Sequence, residues 1–198
     1  MRPDRKLLVL VATAGLLVAM VAPAAANGQG AANGRGVTTE TEDVFGQGED
    51  GPVVAEDGAT LRRTNNGISV KVQMPTPESG TYDYPDPDAP TASPPGHPEA
   101  FTLWVFVFDD ELGGYEDNPW SSAFFGAGHV VGGPNLTLSG HISRQSEPFA
   151  GFPLENPQDV EVHLAVAPHG GLDPEIMPEQ IKTPAGNPDL WWLALFED

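Results

Sequence analysis

From Leu61 onward, apolar residues recur at every second position in short runs, and nowhere does an apolar period of 3.6 residues persist for three turns. Alternation at period two sends successive side chains to opposite faces of an extended chain, which demands half-buried strands and excludes amphipathic helices as the main element. The runs are 68–74 (ISVKVQM), 101–108 (FTLWVFVF), 123–131 (AFFGAGHVV), 136–143 (LTLSGHIS), 160–167 (VEVHLAVA) and 190–196 (LWWLALF). Each is rich in β-branched or aromatic residues and bounded by Gly, Pro, Asn or Asp, which open turns. Prolines fall mainly between the runs, where a missing N–H costs no ladder hydrogen bond. The pattern predicts an all-β fold, most simply a two-sheet antiparallel β-sandwich.

The chain has no cysteine. That excludes disulfides, thiolate nucleophiles and zinc–thiolate centres together, so stability must come from a packed core. Residues 61–198 are enough for one such domain, since a chain of about 150 residues buries roughly 68–70% of its unfolded surface. Trp104, Phe106, Phe108, Phe124, Phe125, Trp191, Trp192 and Phe196 are expected to fill much of the interior.

At the N-terminus a basic Met1-Arg2-Pro3-Asp4-Arg5-Lys6 precedes an apolar run and Pro23-Ala24-Ala25-Ala26. This order describes a secretory signal over 1–26, giving a secreted or extracytoplasmic product with no membrane insertion after cleavage. Cleavage would leave six Lys plus Arg against 27 Asp plus Glu, a formal charge of −21. Charge of that size repels nucleic acid and anionic membranes. Lys71 and Lys182 are the lysines left beyond the signal. An acidic, lysine-poor surface suits high salt, where a Debye length of about 3 Å at 1 M screens self-repulsion. Residues 27–60, rich in Gly, Asn, Thr and acids, are expected to form a flexible tail. The proline-rich stretch 74–98 is expected to be an extended surface loop containing polyproline II.

Four of the five histidines lie between 129 and 169. GHVVGGPNLTLSGHIS reads as a hairpin around Gly133-Pro134 in which His129 faces Leu138 and Gly126 faces His141. That register puts His129 in the core with Phe125, Ala127 and Val131, and turns His141 outward. On 160–167, Val160, Val162, Leu164 and Val166 form the apolar set, leaving Glu161 and His163 on the other face about 6.5–7 Å apart. Were 136–143 the neighbouring strand, His141 would join them. Glu161, His163 and His141, with His169 on the adjoining turn, have the residue types for an open site for a divalent metal. The competing reading is a solvated polar face.

DYPDPD presents Asp83, Asp86 and Asp88, and DDELGGYEDN presents Asp109, Asp110, Glu111, Glu116 and Asp117. Calcium favours such hard oxygen ligands, but neither stretch has the EF-hand spacing. There is no G-x-S-x-G, H-E-x-x-H, Walker A loop or S-x-x-K. The glycines of GAGHVVGG lie within a strand pattern and are expected to admit a close neighbour. Asn135-Leu136-Thr137 fits a glycosylation sequon.

FTLWVFVF, GHVVGG and VEVHLAVAPHGGLDPEIMPEQIKT together resemble an uncharacterised family of secreted bacterial and archaeal proteins, over roughly 101–183. Its members show a VW-type strand, a GHV(V/I)G segment and a VHLVV…HG…P…EQI segment in similar order. The resemblance implies a shared β-rich exported domain and no established activity. Members tend to carry cysteines near these motifs, which this chain lacks. A more distant likeness is to the CHRD family of extracellular β domains. The expected function is a non-enzymatic extracellular binding or structural module with an unidentified extracellular or cell-surface ligand. The alternatives are a metal-binding protein or metalloenzyme using the His/Glu cluster, and a metal-free hydrolase with a triad assembled in space.

Overall fold

The computed structural model describes residues 36–84, 97–131, 133–183 and 187–197. The signal segment 1–26, residues 27–35 of the tail and residues 85–96 of the proline-rich loop lie outside them. Nine antiparallel strands follow one another: β1 (Thr38–Phe45), β2 (Val53–Thr64), β3 (Gly67–Pro75), β4 (Glu99–Phe108), β5 (Ser122–Val131), β6 (Asn135–Ser143), β7 (Ala150–Gly151), β8 (Glu161–Gly171) and β9 (Trp192–Phe196). No α-helix forms among the described residues, and two short 3-10 turns cover Glu179–Lys182 and Pro188–Leu190.

The strands make one sheet in the order β6-β3-β2-β1-β9-β8-β4-β5-β7, curled into a half-barrel. The all-β antiparallel expectation holds, in a single continuous sheet. Its concave side holds the main core, where Ile68, Val70 and Val72 of β3 meet Leu103, Val105 and Val107 of β4 and Val162, Leu164 and Val166 of β8. Fully burying one such side chain contributes about 1.5–3 kcal/mol.

Ordered structure begins well before Leu61. Strands β1 and β2 pair from Thr38↔Arg63 to Phe45↔Val53, within the stretch expected to be a flexible tail. The low apolar content was real, for β1 buries Val44 alone. Its place is held by ladder hydrogen bonds to β2 and by buried Arg63, whose Nε donates to Glu40 Oε1 at 2.9 Å and whose Nη1 donates to the Val160 carbonyl.

The expected β5–β6 hairpin is replaced by different partners. Strand β6 pairs with β3 from Gly67↔Ser143 to Pro75↔Asn135, and β5 pairs with β4 and β7. Strands β5 and β6 instead cross at the open side of the curl, where a Cβ on Gly140 would stand 2.5 Å from the Gly126 carbonyl oxygen. Gly126 of GAGHVVGG thus admits a close neighbour, as expected, and Gly140 is its counterpart on β6. A second correction follows from a bulge: Leu103 pairs with Ala127 but Trp104 with Phe125, so Gly126 is an extra residue. An extra residue inverts the alternation beyond it. Phe124 therefore enters the core while Phe125 packs outside on Trp104, at 6.0 Å between ring centroids.

Within the proline-rich loop, the described part folds back on the sheet. Ser79 Oγ and Tyr84 Oη each donate to Glu99 Oε1 at 2.7 Å, and Tyr82 Oη donates to Glu99 Oε2. Glu99 is buried at the start of β4, and Tyr82 also packs edge-on against Trp192. Burial first, then its hydrogen bonds, raises the Tyr82 phenol far above its ordinary value, so it stays a donor.

Candidate functional site

The side chains that alternate away from the core form an outer face across β9, β8, β4 and β5. Register aligns them in rows: Trp104 lies between Ala165 and Phe125, and Phe106 lies beside His163, which in turn lies beside Leu195. One of the two readings of the sequence made this face a solvated polar one. Much of it is covered instead, because Trp104, Ala165, Ala167 and Trp191 form a second buried cluster with Phe106 and Leu193 against it.

Each histidine has a definite place. His129 is exposed, not a core residue, although it pairs with Phe101 in the ladder. His141 is exposed on β6, with β3, β2, β1 and β9 between it and β8 in the sheet order. It does not join Glu161 and His163, because that proximity required β6 and β8 to be neighbours. Its Nδ1 lies 3.0 Å from Ser69 Oγ, and among the described residues no carboxylate is hydrogen-bonded to it to complete a triad.

His169 is not an exposed turn residue. It is buried, and its Nε2 lies 2.7 Å from Thr102 Oγ1, which itself lies 2.7 Å from the Ile181 carbonyl oxygen. A hydroxyl has one proton; giving it to the carbonyl leaves Nε2 as the donor to Oγ1. A protonated ring nitrogen has no lone pair for a metal. Gln180 closes the arrangement, donating to the Gly171 carbonyl at 2.9 Å and the His169 carbonyl at 3.3 Å while accepting from Asp173 N–H at 3.0 Å. The HG…EQI segment is thereby a strap that fixes 172–183 to the sheet.

His163 and Glu161 do share the outer face of β8. His163 Nε2 is 2.6 Å from Glu161 Oε1, yet this buried nitrogen completes no hydrogen bond, so the carboxylate lies off the N–H direction. The Phe108 ring packs against the imidazole at 4.4 Å. Burial pulls the His163 imidazole below its ordinary value, and the charges of Glu197 and Glu49 oppose that shift. Among the described residues, the group that could hold one metal ion is Glu161, His163 and Glu197, with ligand atoms within 4.8 Å of one another. Glu197 takes the place expected for His141. It was legible in principle, since Leu193, Leu195 and Glu197 share a parity, but only once β9 was known to lie beside β8.

In the second acidic stretch Asp109 braces a turn. Asp109 is buried, its Oδ1 accepts from Glu111 N–H at 2.9 Å, and its Oδ2 accepts from Asn156 Nδ2 at 3.3 Å. Of the DYPDPD acids, Asp83 uses its backbone N–H to donate to Gln47 Oε1 at 2.9 Å, and Asp86 and Asp88 lie outside the described residues.

Toward β5 and β7 the outer face opens to solvent as an aromatic surface. Phe125, Phe149 and Phe152 are 39%, 57% and 37% exposed. Phe149 and Phe125 both pack on Trp104, while Phe152 meets Tyr115 at 5.8 Å and Tyr115 stacks on Trp120 at 5.9 Å. Phe149 and Phe152 lie in EPFAGFPLENP, a stretch without strand alternation, and so escaped a reading based on period. Compared with known proteins, the chain matches no family model, no curated protein and no solved structure.

Proposed function

We propose that the protein is an exported, non-enzymatic β module that docks a basic, apolar protein segment on the aromatic surface of β5 and β7. The observation that carries this reading is the exposure of Phe125, Phe149 and Phe152, the first two packed on Trp104 and the third on Tyr115, which stacks on Trp120. Contiguous exposed apolar surface marks an interaction site far more often than isolated residues do. Charge selects the occupant. Between Lys71 and Lys182 the chain has a single Arg or Lys, Arg144, whereas Glu111, Glu116, Asp117, Glu147 and Glu155 lie next in sequence to the aromatic stretches. A partner carrying Lys or Arg gains on-rate and orientation from that rim, while its apolar side chains gain from the rings. A cation over an aromatic face adds to both.

The N-terminal signal pattern supports export, and the motif resemblance over 101–183 agrees with it. Strands β6-β3-β2-β1 and β8-β4-β5, facing each other across one core, act as the two layers of a sandwich whose outer side carries exposed rings toward β5 and β7.

The test is titration of the full chain with a synthetic heptapeptide of alternating Lys and Phe, followed by Trp fluorescence. The double variant Phe149→Ser/Phe152→Ser is expected to weaken binding at least about tenfold, by the loss of two exposed rings from the contact. Equal affinity for parent and variant would overturn the proposal, and so would turnover in a broad hydrolase substrate panel.

A further inference from the structure

The end of the outer face opposite the aromatic surface holds a separate feature. Glu161 and His163 project together from β8, and the register Val162↔Phe196 and His163↔Leu195 carries Glu197 to the position opposite Glu161. Two carboxylates directly opposite on neighbouring strands repel. Glu49 adds a further negative charge within reach of the imidazole.

The imidazole is prepared for a ligand. Phe108 fixes one side of the ring, and Nε2 is buried with no hydrogen bond although Glu161 Oε1 is 2.6 Å away. Two adjacent donor atoms out of line for a hydrogen bond suit two ligands turned toward a common third atom. Ligands around a tetrahedral ion at bond lengths of about 2.1 Å stand about 3.4 Å apart. Atoms within 4.8 Å of one another reach that geometry with small side-chain rotations.

We propose that Glu161, His163 and Glu197 bind one divalent transition-metal ion of the Zn2+ or Mn2+ class, which clips the end of β9 to β8. One imidazole with carboxylate oxygens is a borderline donor set, which suits those ions better than Ca2+ or Mg2+, whose preference is for oxygen alone. Glu197 is exposed, so water completes the coordination from the solvent side.

The test is calorimetric titration of the EDTA-treated full chain with ZnCl2, in about 1 M KCl to screen diffuse attraction to the acidic surface. One ion per chain is expected, weakened at least about tenfold by Glu197→Gln and by His163→Gln, and unchanged by His141→Gln or Glu155→Gln. Glu197→Gln alters an exposed side chain and keeps the test valid if His163→Gln fails to fold. In an NMR titration under the same conditions MnCl2 should broaden amide resonances at Leu195 and Glu197 first. Absence of saturable binding, equal loss in Glu155→Gln, tighter binding of CaCl2 than ZnCl2, or broadening centred elsewhere would each overturn the site.

Discussion

His169 Nε2 lies 2.7 Å from Thr102 Oγ1, joining β8 to β4 by a side-chain bond on the buried part of the outer face. The same hydroxyl serves the Ile181 carbonyl at 2.7 Å, so one threonine supports both the histidine and the strap beyond it. Thr102→Val keeps the shape and strands two buried polar groups. A loss of about 1–3 kcal/mol in urea unfolding is expected for such groups, with Thr102→Ser recovering most of it. Equal stability of Thr102→Val and the parent would contradict the structural role given to His169.

The crossing of β5 and β6 makes a second prediction. Gly140→Ala would set a methyl group 2.5 Å from the Gly126 carbonyl oxygen, a backbone atom that yields only if a strand moves. Forced overpacking costs typically about 1–3 kcal/mol. Gly133→Ala meets nothing within 4 Å and serves as the neutral control. Thermal unfolding of the two variants side by side would show whether the strands touch there.

How much of this was readable beforehand differs by residue. The periods of 68–74, 101–108 and 160–167 located β3, β4 and β8, and correctly assigned Val162, Leu164 and Val166 to the core and Glu161 and His163 to the far side, because alternation is a local property. Strand neighbours are not local. The proposed partnership of His141 with Glu161 failed because residues 135–143 found β3, and nothing within that segment records its partner. Residues 38–45 looked disordered because TTETEDVF offers almost nothing to bury; its strand is stabilised by ladder bonds with β2 that composition does not register. Phe125 was misplaced by a single extra residue, Gly126.

Glu42 offers a pH test of the acidic design. Its carboxyl is raised above its ordinary value by burial first, then by Asp43, Asp57, Glu40 and Glu197. A raised folded-state pKa means that the folded protein binds the proton more tightly than the unfolded chain, so stability falls as pH rises through the interval above the ordinary value of 4.5. At neutral pH the penalty is complete. Glu42→Gln is therefore expected to raise the unfolding temperature at pH 7 in low salt, and to change nothing below the ordinary carboxylate range. Because Glu42 is largely exposed, the gain should shrink as salt screens its neighbours. An unchanged midpoint at pH 7 would contradict it.

The whole chain should follow the same direction, since its formal charge is −19. Unfolding midpoints compared in about 0.1 M and 2 M KCl are expected to be higher in the concentrated salt, where repulsion is screened within about 3 Å. A midpoint that does not rise would remove salt adaptation from the account.

The central claim is that the aromatic surface of β5 and β7 is where this protein meets its partner, and amide chemical-shift mapping with the Lys–Phe heptapeptide tests it most directly. The account predicts saturable shifts concentrated at Trp120, Phe125, Phe149 and Phe152, with β3 and β6 unaffected. Shifts spread evenly over the acidic surface, or centred on the edge strand β6, would contradict it.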